Sequence, residues 1–336
     1  MEIFNIIFCT LVFLTFSIKQ NNKIYDKETF DILKGIAILG VFVGHCSKVY
    51  LGVFLYKLLC SIGLFSVSLF FFISGYGLMY GLDRKIDFEN HFIRKRIIPI
   101  LLNYIIVLLI YYLINAQKNI NVKDVLLCSY IPFSWYILSI LCLYIMFYVS
   151  IFISKKGNNV IMYVSVFLMI FIAITNHFND KLPYPYLGGL QMITFVIGMI
   201  VYNSLRLKHL LKNKKMMFVL TFVFMLLWAY MLCHKDLNIH LLSTSFCESI
   251  ISYVFPLMII SVLKYLQITR LLSFWSFLQK HTLQIYLIHG IVLFNIVNHD
   301  ISSELMIFII FFITILSSIC LNKIVSCSMY HTRIRQ

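Results

Sequence analysis

The residues whose types and spacing could do chemistry sit in one apolar run, residues 30–52, FDILKGIAILGVFVGHCSKVYLG. Asp31 and Lys34 open it, and His45 lies deep inside it. If the run is a helix, the eleven residues from Lys34 to His45 make three turns. The two side chains then point the same way, about 16 Å apart along the axis, with Asp31 within about 40° of the same stripe. With Lys34 at one membrane face, His45 falls near the middle of a hydrocarbon layer about 30 Å thick. An ionisable group at that depth is costly, and such groups usually face a bundle interior or a wet cavity and carry function. On spacing alone a second reading stays open: a histidine that hydrogen-bonds a neighbouring helix as structural glue.

The elements that must position these residues follow from composition. Of the 336 residues, 61% are hydrophobic and 12% are charged. A soluble domain carries about 25% charged residues, so the chain is read as an integral membrane protein. Apolar runs at 3–18, 33–53, 58–82, 97–116, 134–154, 159–177, 187–204, 216–233, 245–264, 283–298 and 303–322 predict eleven helical spans. The first lacks a basic leader region and a small-residue cleavage site, so it reads as an anchor helix. The expected fold class is therefore all-α, a polytopic transmembrane bundle of about ten core helices plus one extra N-terminal helix. No internal repeat supports a duplicated transporter fold.

The nine cysteines show no CxxC pair. Cys9, Cys46, Cys60, Cys142, Cys247 and Cys320 sit in apolar runs and read as small apolar residues rather than a disulfide framework. The net charge of +15 could suggest nucleic acid, but its distribution argues for topology instead. Translocated short loops are poor in Lys and Arg. If the linker at 19–34 is cytoplasmic, alternate loops hold 22 of the 28 Lys and Arg residues. The other side keeps Lys48, Lys57, Lys118, Lys123, Lys181 and Lys235. The N-terminus is thus expected outside and the C-terminus inside. The basic cluster at 206–215 reads as a topology signal or an anionic-lipid contact.

A basic residue, ten residues and a histidine on the first core helix is a pattern in which this chain resembles the acyltransferase family 3 membrane proteins. Lys34 and His45 carry it, and DILKGIAI at 31–38, around Lys34, matches the usual opening of that domain. The resemblance continues in FFFISGYGL at 70–78, in Arg94-Lys95-Arg96 before IIP at 97–99, in Trp135-Tyr136 and in IYLIH at 285–289. It covers roughly residues 28–322. It implies transfer of an acyl group from a coenzyme A thioester to a hydroxyl, usually on a glycan. It also implies that Arg94 and Arg96 belong to a functional Arg-x-Arg element. Where many members have a histidine shortly before the tryptophan, this chain has Phe133 and Ser134, which puts that histidine's acceptor role in doubt here.

Acyl transfer requires that the hydroxyl lose its proton, that the thioester oxygen be stabilised and that both partners be held together. His45 is the candidate base, a covalent acyl-histidine being the alternative. Asp31 or Lys34 could orient groups along the stripe, or Lys34 could bind a donor phosphate. Coenzyme A brings a diphosphate and a 3′-phosphate, which call for cations on the cytoplasmic side. Arginine forks grip phosphate in pairs, so Arg94 and Arg96 are the candidate donor site, although ordinary positive-inside charge would look the same. Ser74 has no visible base beside it. Trp135 and Tyr136 suit an outer aromatic belt or a sugar platform. His289 is the other intramembrane histidine, a substrate contact or an interhelical hydrogen bond. His177, His234, His240 and His299 lie near outer span ends and read as solvated. The histidines show no metal-binding spacing, and no metal is expected.

The expected organisation is an N-terminal anchor helix and linker at 1–27, an acyltransferase family 3 membrane domain at 28–322 and a cytoplasmic basic tail at 323–336. The expected activity is a multi-pass plasma-membrane O-acetyltransferase. Its partners would be acyl-CoA (acetyl-CoA), a carbohydrate or glycolipid acceptor and membrane lipids, with no nucleic acid. The competing class is a translocator of polysaccharide or lipid-linked glycan. A third possibility is a relay that hands the acyl group to a separate partner.

Overall fold

The computed structural model describes residues 2–19, 24–49, 59, 61–115, 121–154, 159–178, 190–237, 244–296 and 303–334. In chain order the helices are α1 (Glu2–Thr15), α2 (Lys27–Val49), α3 (Ile62–Arg84), α4 (Ile98–Ile114), α5 (Val122–Leu126), α6 (Trp135–Ile153), α7 (Val160–His177), α8 (Ile193–Asn203), α9 (Leu205–Leu211), α10 (Lys214–Leu237), α11 (Thr244–Val262), α12 (Leu272–Lys280), α13 (Thr282–Ile296) and α14 (Ser303–Ile334). A π-helical turn, Ile93–Ile97, leads into α4. Two three-residue strands are present, β1 (Phe16–Ile18) and β2 (Leu266–Ile268). Among the described residues seven helices are long and apolar enough to cross a membrane, and Ile193–Asn203, Cys247–Val262 and Thr282–Asn295 are shorter apolar helices. The protein is a helical membrane bundle, as its composition predicts. The reason is that backbone groups in lipid must be satisfied within the segment itself.

The chain divides into two compact units. One consists of residues 2–84 and 190–279. Its centre is α2, buried almost throughout from Phe30 to Ser47, with α3 packed on it and α8 and α11 packed on α3. The α3–α8 approach is close because both helices present glycine. A Cβ on Gly75 would collide with the Phe195 carbonyl, and one on Gly198 with the Phe72 carbonyl. Small residues of this kind let membrane helices approach backbone to backbone. The 70–78 motif therefore lies in mid-helix without a break. Gly77, two residues on, has nothing within 4 Å of such a Cβ.

The first apolar run does not stay helical to its end. It leaves the helix at Thr15, and Phe16, Ser17 and Ile18 pair antiparallel with Ile268, Gln267 and Leu266. Trp275 Nε1 donates to Thr15 Oγ1 at 2.8 Å, and both residues are fully buried. Three residues of that run are thus strand. The reason is a pairing partner some 250 positions away in sequence.

The other unit consists chiefly of residues 85–189 and 280–336. In it α13 packs on α14 and α4, and α6 packs on α7. A buried amide bridge ties three helices: Gln284 Nε2 donates to Asn103 Oδ1 at 2.9 Å and to Asn322 Oδ1 at 3.4 Å. Asn103 Nδ2 in turn donates to the Pro99 carbonyl at 2.7 Å. Interhelical bonds between side chains of this type are worth about 0.6–2 kcal/mol in a membrane. This one anchors the first turn of α4, just past the arginine cluster. The last helix runs without interruption to Ile334, so Lys323 continues it.

Candidate functional site

Lys34 and His45 lie on α2, so the three-turn spacing holds. Lys34 Nζ donates to Asp31 Oδ1 at 2.9 Å, and the pair is partly exposed at the start of the helix. His45 is 8% exposed and sits among buried Val41, Phe42, Val43 and Cys46. Two glycines bring neighbouring backbone onto α2. A Cβ on Gly35 would strike the Trp275 carbonyl, so the turn that carries Lys34 is pressed against α12. A Cβ on Gly63 of α3 would lie 3.7 Å from Gly44, the residue before His45. The stripe thus combines an ion pair at one end with an enclosed imidazole at the other.

Arg94, Lys95 and Arg96 form the π-helical turn. Residues two apart on a helix point roughly 160–200° away from each other, and these two arginines diverge accordingly. Arg94 is exposed, whereas Arg96 is half-buried. Arg96 lines a cavity of about 230 Å³ together with Lys85, His91 and Lys95; Arg94 is not among its lining residues. Nothing in the sequence marks Lys85 and His91 as functional. They belong to a polar turn with no motif of its own, and only its folding onto the arginine turn makes them neighbours.

Trp135, Tyr136 and His289 lie in the same unit and are joined by aromatic contacts. Trp135 meets Tyr136 edge-on at 6.5 Å, Tyr136 meets Tyr286 at 5.2 Å, and Tyr286 meets His289 at 5.7 Å. His289 Nδ1 donates to the Ile285 carbonyl at 3.1 Å. Phe133 stacks on the imidazole at 5.9 Å and 12°. The Phe133 backbone is left-handed, with φ of 63°, and the Tyr286 hydroxyl donates to its carbonyl. A Cβ on Gly290 would hit the Pro132 carbonyl. Phe133 therefore covers His289, which is only 1% exposed.

The 206–215 cluster is not uniformly solvated. Lys208 Nζ lies 4.6 Å from the Tyr202 ring centre, 5.6 Å from that of Tyr76 and 5.9 Å from that of Tyr25, and it donates to the Tyr202 carbonyl. Burial among these rings lowers the Lys208 ammonium pKa below its ordinary value, while nearby Asp83 opposes that shift. The Tyr202 hydroxyl donates to Asp83 at 2.6 Å. Lys208 is thus an internal clasp, joined by Lys212 over the Tyr25 ring at 5.5 Å. Arg206 and His209 are exposed, and so is His177. The side chains of His234, His240 and His299 lie outside the described residues.

A family model described as an acyltransferase domain matches residues 27–323. The comparisons with curated proteins and with solved structures find no match.

Proposed function

The chain belongs to the acyltransferase family whose domain spans residues 27–323, and from that membership we propose an O-acetyltransferase that moves acetyl from acetyl-CoA to a hydroxyl of a surface carbohydrate or lipid-linked sugar. The observation that carries this reading is His45: an enclosed imidazole on the most buried helix of its unit, three turns from the Lys34–Asp31 pair. In the proposed reaction His45 takes the acceptor hydroxyl's proton as the oxygen attacks the thioester carbonyl carbon. The tetrahedral intermediate then expels the thiolate, which recovers the proton from the imidazolium. Positioned proton transfer of this kind is worth about 10²–10⁴-fold in rate. Lys34 and Asp31 orient groups along the stripe. Arg96, with Arg94 nearby in sequence, attracts the donor phosphates. Trp135 and Tyr136 offer rings to the acceptor, and His289 holds that cluster from behind.

The test separates a transferase from a translocator. Purified protein in nanodiscs, given acetyl-CoA and a crude surface-glycan fraction, should release free thiol and place labelled acetyl on the glycan in equal amounts. A translocator would move glycan across a vesicle and consume no thioester. Absence of thiol release by folded protein over a broad acceptor panel would overturn the enzyme reading.

The proposed setting is the plasma membrane, with residues 1–27 as anchor and linker and the 323–336 tail cytoplasmic. The 22-to-6 division of basic residues supports this orientation. Single cysteines placed at 84–95 and 206–214, in a background lacking the native ones, should resist an impermeant thiol reagent in intact cells. Cysteines at 118–123 and 235–240 should react. The reverse pattern would invert the topology.

A further inference from the structure

The turn between α5 and α6 closes over α13. Residues 128–133 make this turn, and none of them is exposed. It is braced from within. Ser134 Oγ donates to the Cys128 carbonyl and, at 2.7 Å, to the Ile131 carbonyl. The Ser129 and Tyr130 backbone N–H groups donate to the Asp124 carbonyl at 2.7 and 3.1 Å. The seat is α13. The Phe133 ring lies on the His289 imidazole and 5.5 Å from the Phe294 ring. The Tyr286 hydroxyl donates to the Phe133 carbonyl, and the Pro132 carbonyl rests where Gly290 has no side chain. Beneath the turn His289 is 1% and Tyr286 3% exposed.

The seated position is costly. Cys128 at one end of the turn has φ of 52°, and Phe133 at the other has φ of 63°. Neither is glycine, asparagine or aspartate, the residues that enter the left-handed region with least penalty, so both ends are strained. Between them the Tyr130 hydroxyl is buried without a hydrogen-bond partner, although its ring meets Tyr111 edge-on at 5.4 Å. Buried polar groups are nearly always paired. One movement relieves all of this. Cys128 and Phe133 return to ordinary φ, the Phe133 ring swings off the imidazole, and the Tyr130 hydroxyl reaches water.

We propose that residues 128–133 are a hinged cover, and that its lifting opens the Tyr136, Tyr286 and His289 rings to the acceptor. The cover itself stands on the geometry of this turn. Its link to the acceptor rests on the role proposed above for Trp135 and Tyr136, and adds to it how that site is closed and opened. Seated, the cover keeps water from the rings. The acceptor reaches them in the lifted fraction, and its apparent affinity is reduced by that fraction. Tyr286 is the latch, because its hydroxyl holds the backbone of the strained residue. Gly290 is the position that lets the cover sit flush on α13.

Cys128 is a native reporter of the movement. It is 4% exposed with the cover seated, and burial pushes its thiol pKa up to about 11, which holds back the reactive thiolate. The full chain in nanodiscs is treated with a maleimide, and alkylation of each cysteine is followed by peptide mass spectrometry. Cys142, half-buried on α6 of the same unit, reports loosening of the unit as a whole. Tyr286→Phe removes one hydrogen bond and should raise the Cys128 rate by roughly five- to tenfold, with Cys142 unchanged. Gly290→Ala drives a methyl into the Pro132 carbonyl and should raise it too, without altering any ring. Both variants should reach half-maximal acetyl acceptance at proportionally less of the glycan fraction, with their acetyl-CoA dependence unchanged. One Cys128 rate in all three proteins would overturn the cover, as would a Cys142 rate that rises in step with it. The cysteine rates need no turnover, so they stand apart from the thiol-release test of the enzyme reading. A Cys128 response with an unchanged glycan requirement would leave the cover standing and overturn the acceptor role of Trp135 and Tyr136.

Discussion

His45→Ala is expected to abolish acyl transfer, with turnover falling by at least the 10²–10⁴-fold that a positioned base supplies. Protein level and membrane insertion should be unchanged. The informative variant is His45→Gln. A glutamine amide keeps a donor and an acceptor near the same place but cannot take a proton at neutral pH, so it preserves a structural hydrogen bond and removes the base. The residue is 8% exposed, so the alternative role as interhelical glue is real, and such bonds average only about 0.6 kcal/mol in a membrane protein. Thiol release and labelled-ester formation by the purified variants decide the matter. Near-normal turnover in His45→Gln would make the histidine glue and leave the base unassigned.

The second large effect concerns folding. Gly75→Ala and Gly77→Ala are the same chemical change two residues apart on α3, yet they should behave differently. At Gly75 the added methyl runs into the Phe195 carbonyl, which is backbone inside α8 and cannot rotate away. The helices must separate, and overpacking of this kind costs about 1–3 kcal/mol. At Gly77 the methyl meets nothing within 4 Å, and alanine is the better helix former by about 1 kcal/mol. Thermal unfolding in detergent, followed by the monodisperse fraction on size-exclusion chromatography, should show a lower midpoint for Gly75→Ala and an unchanged or higher one for Gly77→Ala. Gly198→Ala should resemble Gly75→Ala, because its methyl faces the Phe72 carbonyl across the same helix pair. Equal midpoints for the Gly75 and Gly77 variants would show that α3 and α8 do not meet this closely.

What the sequence determined by itself is local or one-dimensional. Hydrophobic length settles that the chain is a helical membrane bundle, because apolar runs of about 20 residues suit a spanning helix, which satisfies its own backbone, whereas a barrel strand needs only about ten. Helical periodicity settles that Lys34 and His45 share one side of α2, whereas the divergence of Arg94 and Arg96, read together as one site in the sequence, follows only from the π-helical turn at Ile93–Ile97. The family follows from an ordered set of short stretches that needs no coordinates. What only the tertiary structure decided rests on pairings between distant positions. Phe16–Ile18 reads as the end of an apolar helix until Leu266–Ile268 supplies a strand partner. Gly75 and Gly77 are indistinguishable until α8 arrives on one of them. Lys208 counts as one more cytoplasmic charge until Tyr25, Tyr76 and Tyr202 close around it. Phe133 is an absence of histidine until its ring is found on His289. The cavity of Lys85, His91, Lys95 and Arg96 leaves no trace in spacing, because a left-handed Asp87 and the fold of an irregular turn bring its walls together. Periodicity reports which way a side chain leaves its own helix; what it meets there depends on another part of the chain.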